Sequence, residues 1–202
     1  MKKFFSFIIV CVLLTGTLAL SASAANTTHT VVSGDCMWKI AVKYQVGVSE
    51  IINANPQIAN PDLIYPGQKL TVPLTDNTVT NYESEVVRLV NEIRAQNGLK
   101  ALTQNWELSR VARYKSQDMV DKKYFSHTSP TYGSPFEMIK AFGISYRTAG
   151  ENIAYGYATP QAVVNGWMNS SGHRANILNA SYTQIGVGYV AKGNYWTQMF
   201  IG

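Results

Sequence analysis

Cysteine is almost missing from this chain: of 202 residues only Cys11 and Cys36 are cysteine. Cys11 lies in an N-terminal apolar run that reads as an export signal, so a mature chain keeps Cys36 alone and has no internal disulfide. An exported protein of this size without disulfides suits a Gram-positive bacterium and must fold on core burial alone. The formal net charge of +5 comes without any long basic run. That excludes a nucleic-acid partner and leaves mild attraction to an anionic wall or membrane surface. There is no G-x-S-x-G, no H-E-x-x-H or H-x₃-H and no Gly-rich phosphate loop, which removes the usual signatures of serine hydrolases, zincins and nucleotide binders. No basic stop-transfer cluster follows the apolar run, so no stable transmembrane segment is expected after cleavage.

The signal is expected over residues 1–24: Lys2 and Lys3, an apolar stretch from Phe4 to Leu20, and the small-residue site Ala22-Ser23-Ala24. Val10 stands before Cys11 where lipid attachment wants a small residue, which argues against a lipoprotein. Residues 29–73 then read as a compact βααβ unit. His29–Val32 is a strand, Ser33-Gly34-Asp35 a turn, Cys36–Tyr44 a helix with Trp38 and Ile40 in its core, and Val48–Ala54 a second helix ended by Asn55-Pro56. Gln68–Val72 is the closing strand. The polar stretch TDNTVTNY reads as a linker over residues 74–82.

Residues 83–202 change period from helical to strand-like. Asn81 is expected to cap a helix with the stripe Val86, Leu89, Val90 and Ile93. Asn105, Ser134-Pro135 and Thr159-Pro160 open three more helices, and Gln184–Ala191 and Tyr195–Ile201 form a hairpin. Helices around a sheet give an α/β sandwich. Inside it, His127 and His173 stand in Gly/Ser/Pro-containing, loop-like contexts, with Glu137 and Glu151 between them. Two imidazoles and two carboxylates can form a metal site or an acid/base cluster. On spacing alone, surface or capping histidines are the favoured reading over a metal or acid/base site.

The motifs carry two resemblances. The S-G-D turn, W-K-I-A, N-A-N-P and L-I-Y-P-G-Q-K-L make residues 29–73 resemble a LysM repeat. That resemblance implies binding of N-acetylglucosamine glycans such as peptidoglycan in a groove between Gly34–Met37 and Asp62–Pro66, with Gly34, Asp35, Cys36, Met37, Leu63, Ile64 and Tyr65 as contacts. A threonine is usual where Cys36 stands. F-S-H-T-S-P, S-P-F-E-M-I, A-G-E-N-I-A, W-M-N-S-S-G-H-R-A-N-I-L and I-G-V-G-Y make residues 83–201 resemble the CAP superfamily of SCP-like extracellular domains. This implies an α-β-α sandwich whose cavity holds His127, Glu137, Glu151 and His173, the histidines holding a divalent metal such as Zn²⁺ and the glutamates lying near its waters. Two functions follow. A secreted wall protein binds peptidoglycan through LysM and presents the CAP cavity to wall or spore-coat proteins. Alternatively, a metal-assisted hydrolase acts on wall peptides or proteins, with Glu137 or Glu151 as base. Binding ranks ahead of catalysis, and a lipid carrier ranks last because no long apolar groove is legible.

Overall fold

The computed structural model describes residues 26–202; the expected export signal lies outside them. The first unit is a two-stranded antiparallel sheet, β1 (Asn26–Thr30) against β2 (Lys69–Pro73), with His29 opposite Leu70. Two short helices, α1 (Met37–Tyr44) and α2 (Val48–Asn53), close over it. Their core is Val31, Met37, Ile40, Ala41, Val46, Ile51, Leu70 and Val72. On α1 the inward stripe is Met37, Ile40 and Ala41, spaced i, i+3, i+4. Trp38 is one step round the helix from that stripe and is 54% exposed, so it is not the core residue expected.

Buried polar groups fasten this small core. Asn55 Nδ2 donates to the carbonyls of Ile51 and Thr71, both at 2.7 Å, and its Oδ1 accepts from Thr71 N at 2.8 Å. The N-A-N-P corner is thereby tied to β2. Asp35 Oδ2 accepts from Val32 N and lies 2.9 Å from His29 Nε2, which sets the S-G-D turn against β1. Gly34 supplies that turn with φ +88°, which a side chain would strain.

The expected linker is mostly helix. After Leu74-Thr75-Asp76, α3 runs from Asn77 to Gln96, and Asp76 caps it by accepting from Thr78 N at 2.7 Å. Val79 and Tyr82 pack on the core and extend the stripe of Val86, Leu89 and Val90 backwards, so Asn81 lies within the helix rather than at its start.

The second unit has a four-stranded sheet ordered β3-β5-β6-β4: β3 (Thr103–Gln104), β5 (Gln184–Val190), β6 (Tyr195–Ile201) and β4 (Ala149–Ala154). β3 runs parallel to β5, while β4 and β5 both run antiparallel to β6. On one face lie α3 and α6 (Pro160–Met168), with α7 (Ser171–Ile177) following, around Trp167, Ile185, Val187, Trp196 and Phe200. On the other lie α4 (Trp106–Lys122) and α5 (Pro135–Ala141), around Leu108, Val111, Met138, Ile139 and Met199. The layering is the expected α-β-α sandwich. Alternation along I-G-V-G-Y explains how α4 fits. Ile185, Val187 and Tyr189 face α3, while Gly186 and Gly188 face α4. A Cβ at Gly186 would come 2.3 Å from the Leu108 backbone, and one at Gly188 2.1 Å from Arg113 N. Glycine here lets helix backbone lie flush on strand backbone.

The two units touch. Arg110 of α4 donates through Nε to Glu50 Oε1 at 2.5 Å and through Nη2 to Glu50 Oε2 and Ser49 Oγ at 2.8 and 2.9 Å. Tyr114 donates its hydroxyl to Glu50 Oε1, and the guanidinium lies about 5 Å from the ring centres of Tyr114 and Phe142. A Cβ at Gly47 would sit 2.3 Å from the guanidinium carbon, so the glycine makes room for the approach.

Candidate functional site

His127 lies in the loop after α4, and that loop is held from beneath by a buried cation. Lys115 has no exposed surface; its Nζ donates to the carbonyls of Ser126 and His127 at 2.8 and 2.7 Å and to Tyr124 Oη at 3.1 Å. Burial lowers the Lys115 pKa, against the pull of the nearby Glu151 and Asp118 carboxylates. One turn along α4, Asp118 accepts hydroxyl hydrogen bonds from Tyr124, Ser129 and Thr131 at 2.6–2.7 Å. Burial alone would raise the Asp118 carboxyl, but these donors outweigh it and hold it below the ordinary value. F-S-H-T-S-P is therefore pinned to α4 at both ends.

Glu151 comes from the middle of β4. Its Oε1 lies 2.7 Å from His127 Nδ1, with the glutamate side chain 1% and the histidine 54% exposed. Glu151 Oε2 is buried and has no hydrogen-bond partner. His173 lies on α7, not in a loop, and α7 is fastened to β4 by amides. Asn152 Nδ2 donates to His173 O at 3.1 Å and to Gln198 Oε1 at 2.9 Å, while Asn176 Nδ2 donates to Asn152 Oδ1 and Glu151 O. Arg94, also buried, donates Nη1 to the carbonyls of Ile177 and Asn179 at the far end of α7. Desolvation, and after it the neighbouring His127, hold the His173 pKa below the ordinary value.

His127 and Glu151 thus meet over the middle of β4, and α7 carries His173 alongside, tied to the same strand through its carbonyl. Glu137 does not join their hydrogen bonds. It is exposed, and its Oε2 accepts from Ser134 N and Oγ, both at 2.7 Å, in the capping box that starts α5. Serine three residues before glutamate signals such a box, and capping explains this carboxylate without a cavity role. Among the described residues no three His, Cys, Asp or Glu side chains come together as metal ligands. With Nδ1 turned to Glu151, His127 keeps Nε2 for the solvent side, the arrangement in which a carboxylate orients a ligating imidazole. A divalent ion here would have at most the two imidazoles as protein ligands, with water in the remaining positions, so the residues do not fit a closed structural site.

In the first unit the expected glycan residues separate by role. Leu63 and Tyr65 are exposed beside the turns, as are Gly34 and Cys36. Met37 is buried in the core, because the first helical position of α1 faces inward, and Ile64 packs partly against that core. Asp35 is spent on His29 and Val32 N. Lys115, Asn152 and Asn176, which position the site, are not among the expected site residues. Their signal is a polar residue inside an otherwise apolar helical or strand pattern.

Comparison with known proteins places these units. The profile of the CAP, cysteine-rich secretory protein family matches residues 87–200, and that of the LysM domain matches residues 29–73. YkwD of Bacillus subtilis (strain 168) is 60% identical over 132 residues, covering 65% of this chain and 51% of that protein. Over 45 residues the chain is 51% identical to the spore coat assembly protein ExsA of Bacillus cereus, which is 22% of this chain and 7% of that one. The chain spans about half the length, or less, of such curated relatives. Among solved structures, an extracellular protein containing a SCP domain from Bacillus anthracis str. Ames superposes with a TM-score of 0.59. It is 33% identical, covering 67% of this chain and 47% of that one.

Proposed function

The chain belongs to the cysteine-rich secretory protein (CAP) family and carries a LysM domain ahead of that fold, and from this premise we propose that it is a secreted, cell-wall-associated binding protein. LysM holds a peptidoglycan-type glycan, and the CAP domain offers the surface around His127, Glu151 and His173 to a partner in wall or spore-envelope assembly. The observation that carries this reading is the division of labour in the LysM unit. Asp35, Asn55 and Met37 build the fold, which leaves the Gly34 turn and the exposed Leu63 and Tyr65 free for a sugar chain. The chain's resemblance to ExsA over 45 residues supports the spore setting. The test is co-sedimentation of the protein with purified peptidoglycan. Pelleting that is lost in a Leu63→Ala/Tyr65→Ala variant is the expected result; failure of the wild type to pellet overturns the reading.

A second reading, metal-assisted hydrolysis of wall peptides, is favoured by one observation: the buried, unpartnered Glu151 Oε2 beside His127. His127 and His173 would hold the ion, which when bound supplies Lewis acidity and lowers the pKa of water. Glu151 orients His127 and has an oxygen left to accept a proton. Turnover of wall fragments that survives Glu151→Gln would remove this role.

A further inference from the structure

Three large aromatic side chains stand exposed in one place on the CAP domain. Phe125, Tyr155 and Tyr157 are 45%, 56% and 38% exposed, and all three line a cleft of about 300 Å³ that ends at Ser170 and His173. Exposed aromatic surface carries a solvation cost, and here the rings are also fixed. Tyr155 meets Phe125 edge-on with centroids 4.7 Å apart and stacks on Tyr195 at 5.7 Å, 24° from parallel. The Tyr157 ring lies against Gly166 of α6, where a Cβ would sit 2.6 Å from the phenol oxygen. Its carbonyl accepts from Trp196 Nε1 at 2.8 Å. Fixed rings lose little entropy when a ligand lands on them.

We propose that this cleft is a saccharide subsite, in which a sugar ring of the glycan strand stacks on Tyr155 and its hydroxyls meet Ser170 and His173. The proposal rests on the reading that LysM holds such a strand. The chemistry selects the occupant. None of the lining residues is Asp, Glu, Lys or Arg, so a phosphate or a charged peptide finds no counter-charge. Aromatic faces with hydroxyl and imidazole at one end match a pyranose, which has an apolar C–H face and a polar rim. The cleft is at the small end of ligand clefts, which suits one or two sugar rings rather than a lipid tail.

The experiment is a site-resolved NMR titration of the full chain with a soluble tetrasaccharide of alternating N-acetylglucosamine and N-acetylmuramic acid. Two separate sets of amide shifts are expected, one at Gly34–Met37 and Asp62–Pro66, the other around Tyr155, Ser170 and His173. Tyr155→Ala should abolish the second set and leave the first; Tyr155→Phe should retain both. Shifts confined to the LysM loops in the wild type overturn the cleft proposal while LysM binding stands. Shifts in neither place overturn both. Cleft resonances that move with the free stem peptide and not with the saccharide overturn the sugar assignment.

Discussion

The two modules of this chain solve the same problem, folding without disulfides, in opposite ways. The LysM unit closes on eight apolar side chains and uses its buried polar groups, Asn55 above all, to satisfy the backbone of its own ladder. The CAP domain has a core on each face of its sheet, and this surplus supports buried ionisable groups. Glu83, Arg94, Lys115, Asp118 and Glu151 are all buried there. The small module therefore leaves its remaining large side chains, Leu63 and Tyr65, on exposed loops, whereas the large one can place a carboxylate beneath its histidine and hold it. Core size decides where polar function can sit.

The comparison breaks most visibly at Gly188. Gly188→Val places side-chain carbon inside the α4 backbone and should cost the CAP domain ~3 kcal/mol or more. Calorimetry should show its transition fall, while LysM amide resonances stay in place. An unchanged melt would mean the glycine face does not set the helix-to-sheet spacing. In the LysM unit, Asn55→Ala leaves Thr71 N and two carbonyls unpartnered and should cost ~2 kcal/mol by denaturant titration. That is a large share of so small a core. The seam is weaker: Arg110→Ala removes a partly exposed pair and should cost ~1 kcal/mol, yet residual dipolar couplings should show the modules reorienting independently.

A further effect expected is a slope with pH. Burial pushes the Glu83 carboxyl from 4.5 up to about 7, with Arg113 opposing. A folded state that keeps this proton binds more protons than the unfolded chain between those values. The contribution is complete below pH 4.5 and lost as pH rises through about 7, and Glu83→Gln should flatten it. In LysM the sign is reversed. The Val32 N–H and then His29 hold Asp35 below its ordinary value, so its contribution is lost as pH falls into the acid range.

Both modules were legible because their motifs encode backbone necessities. N-A-N-P is a buried amide on a strand, S-G-D a left-handed turn, and Ser134-Pro135 and Thr159-Pro160 are helix starts. Legibility failed where a residue has two competing uses. Trp38 and Met37 exchanged roles because adjacent helical positions point to different faces. Asn77–Tyr82 looks like linker because its apolar members, Val79 and Tyr82, are sparse. β4 is not legible because A-G-E-N-I-A puts Glu151 and Asn152 where a buried strand normally has apolar residues. His127, Glu151 and His173 could be named from motifs, but what orients them is long-range and follows no period.

The short joint between the modules has a mechanical consequence. Leu74, Thr75 and Asp76 span at most roughly 11 Å when drawn straight, and β2 feeds through them directly into α3, the helix laid along the sheet. Tension applied to the LysM unit has little slack to take up. It travels along β2 into the sandwich, with Glu50 and Arg110 as a second load path beside the chain itself. The molecule acts as a strut rather than a tether, and when the LysM face is pulled, the CAP cleft turns with it.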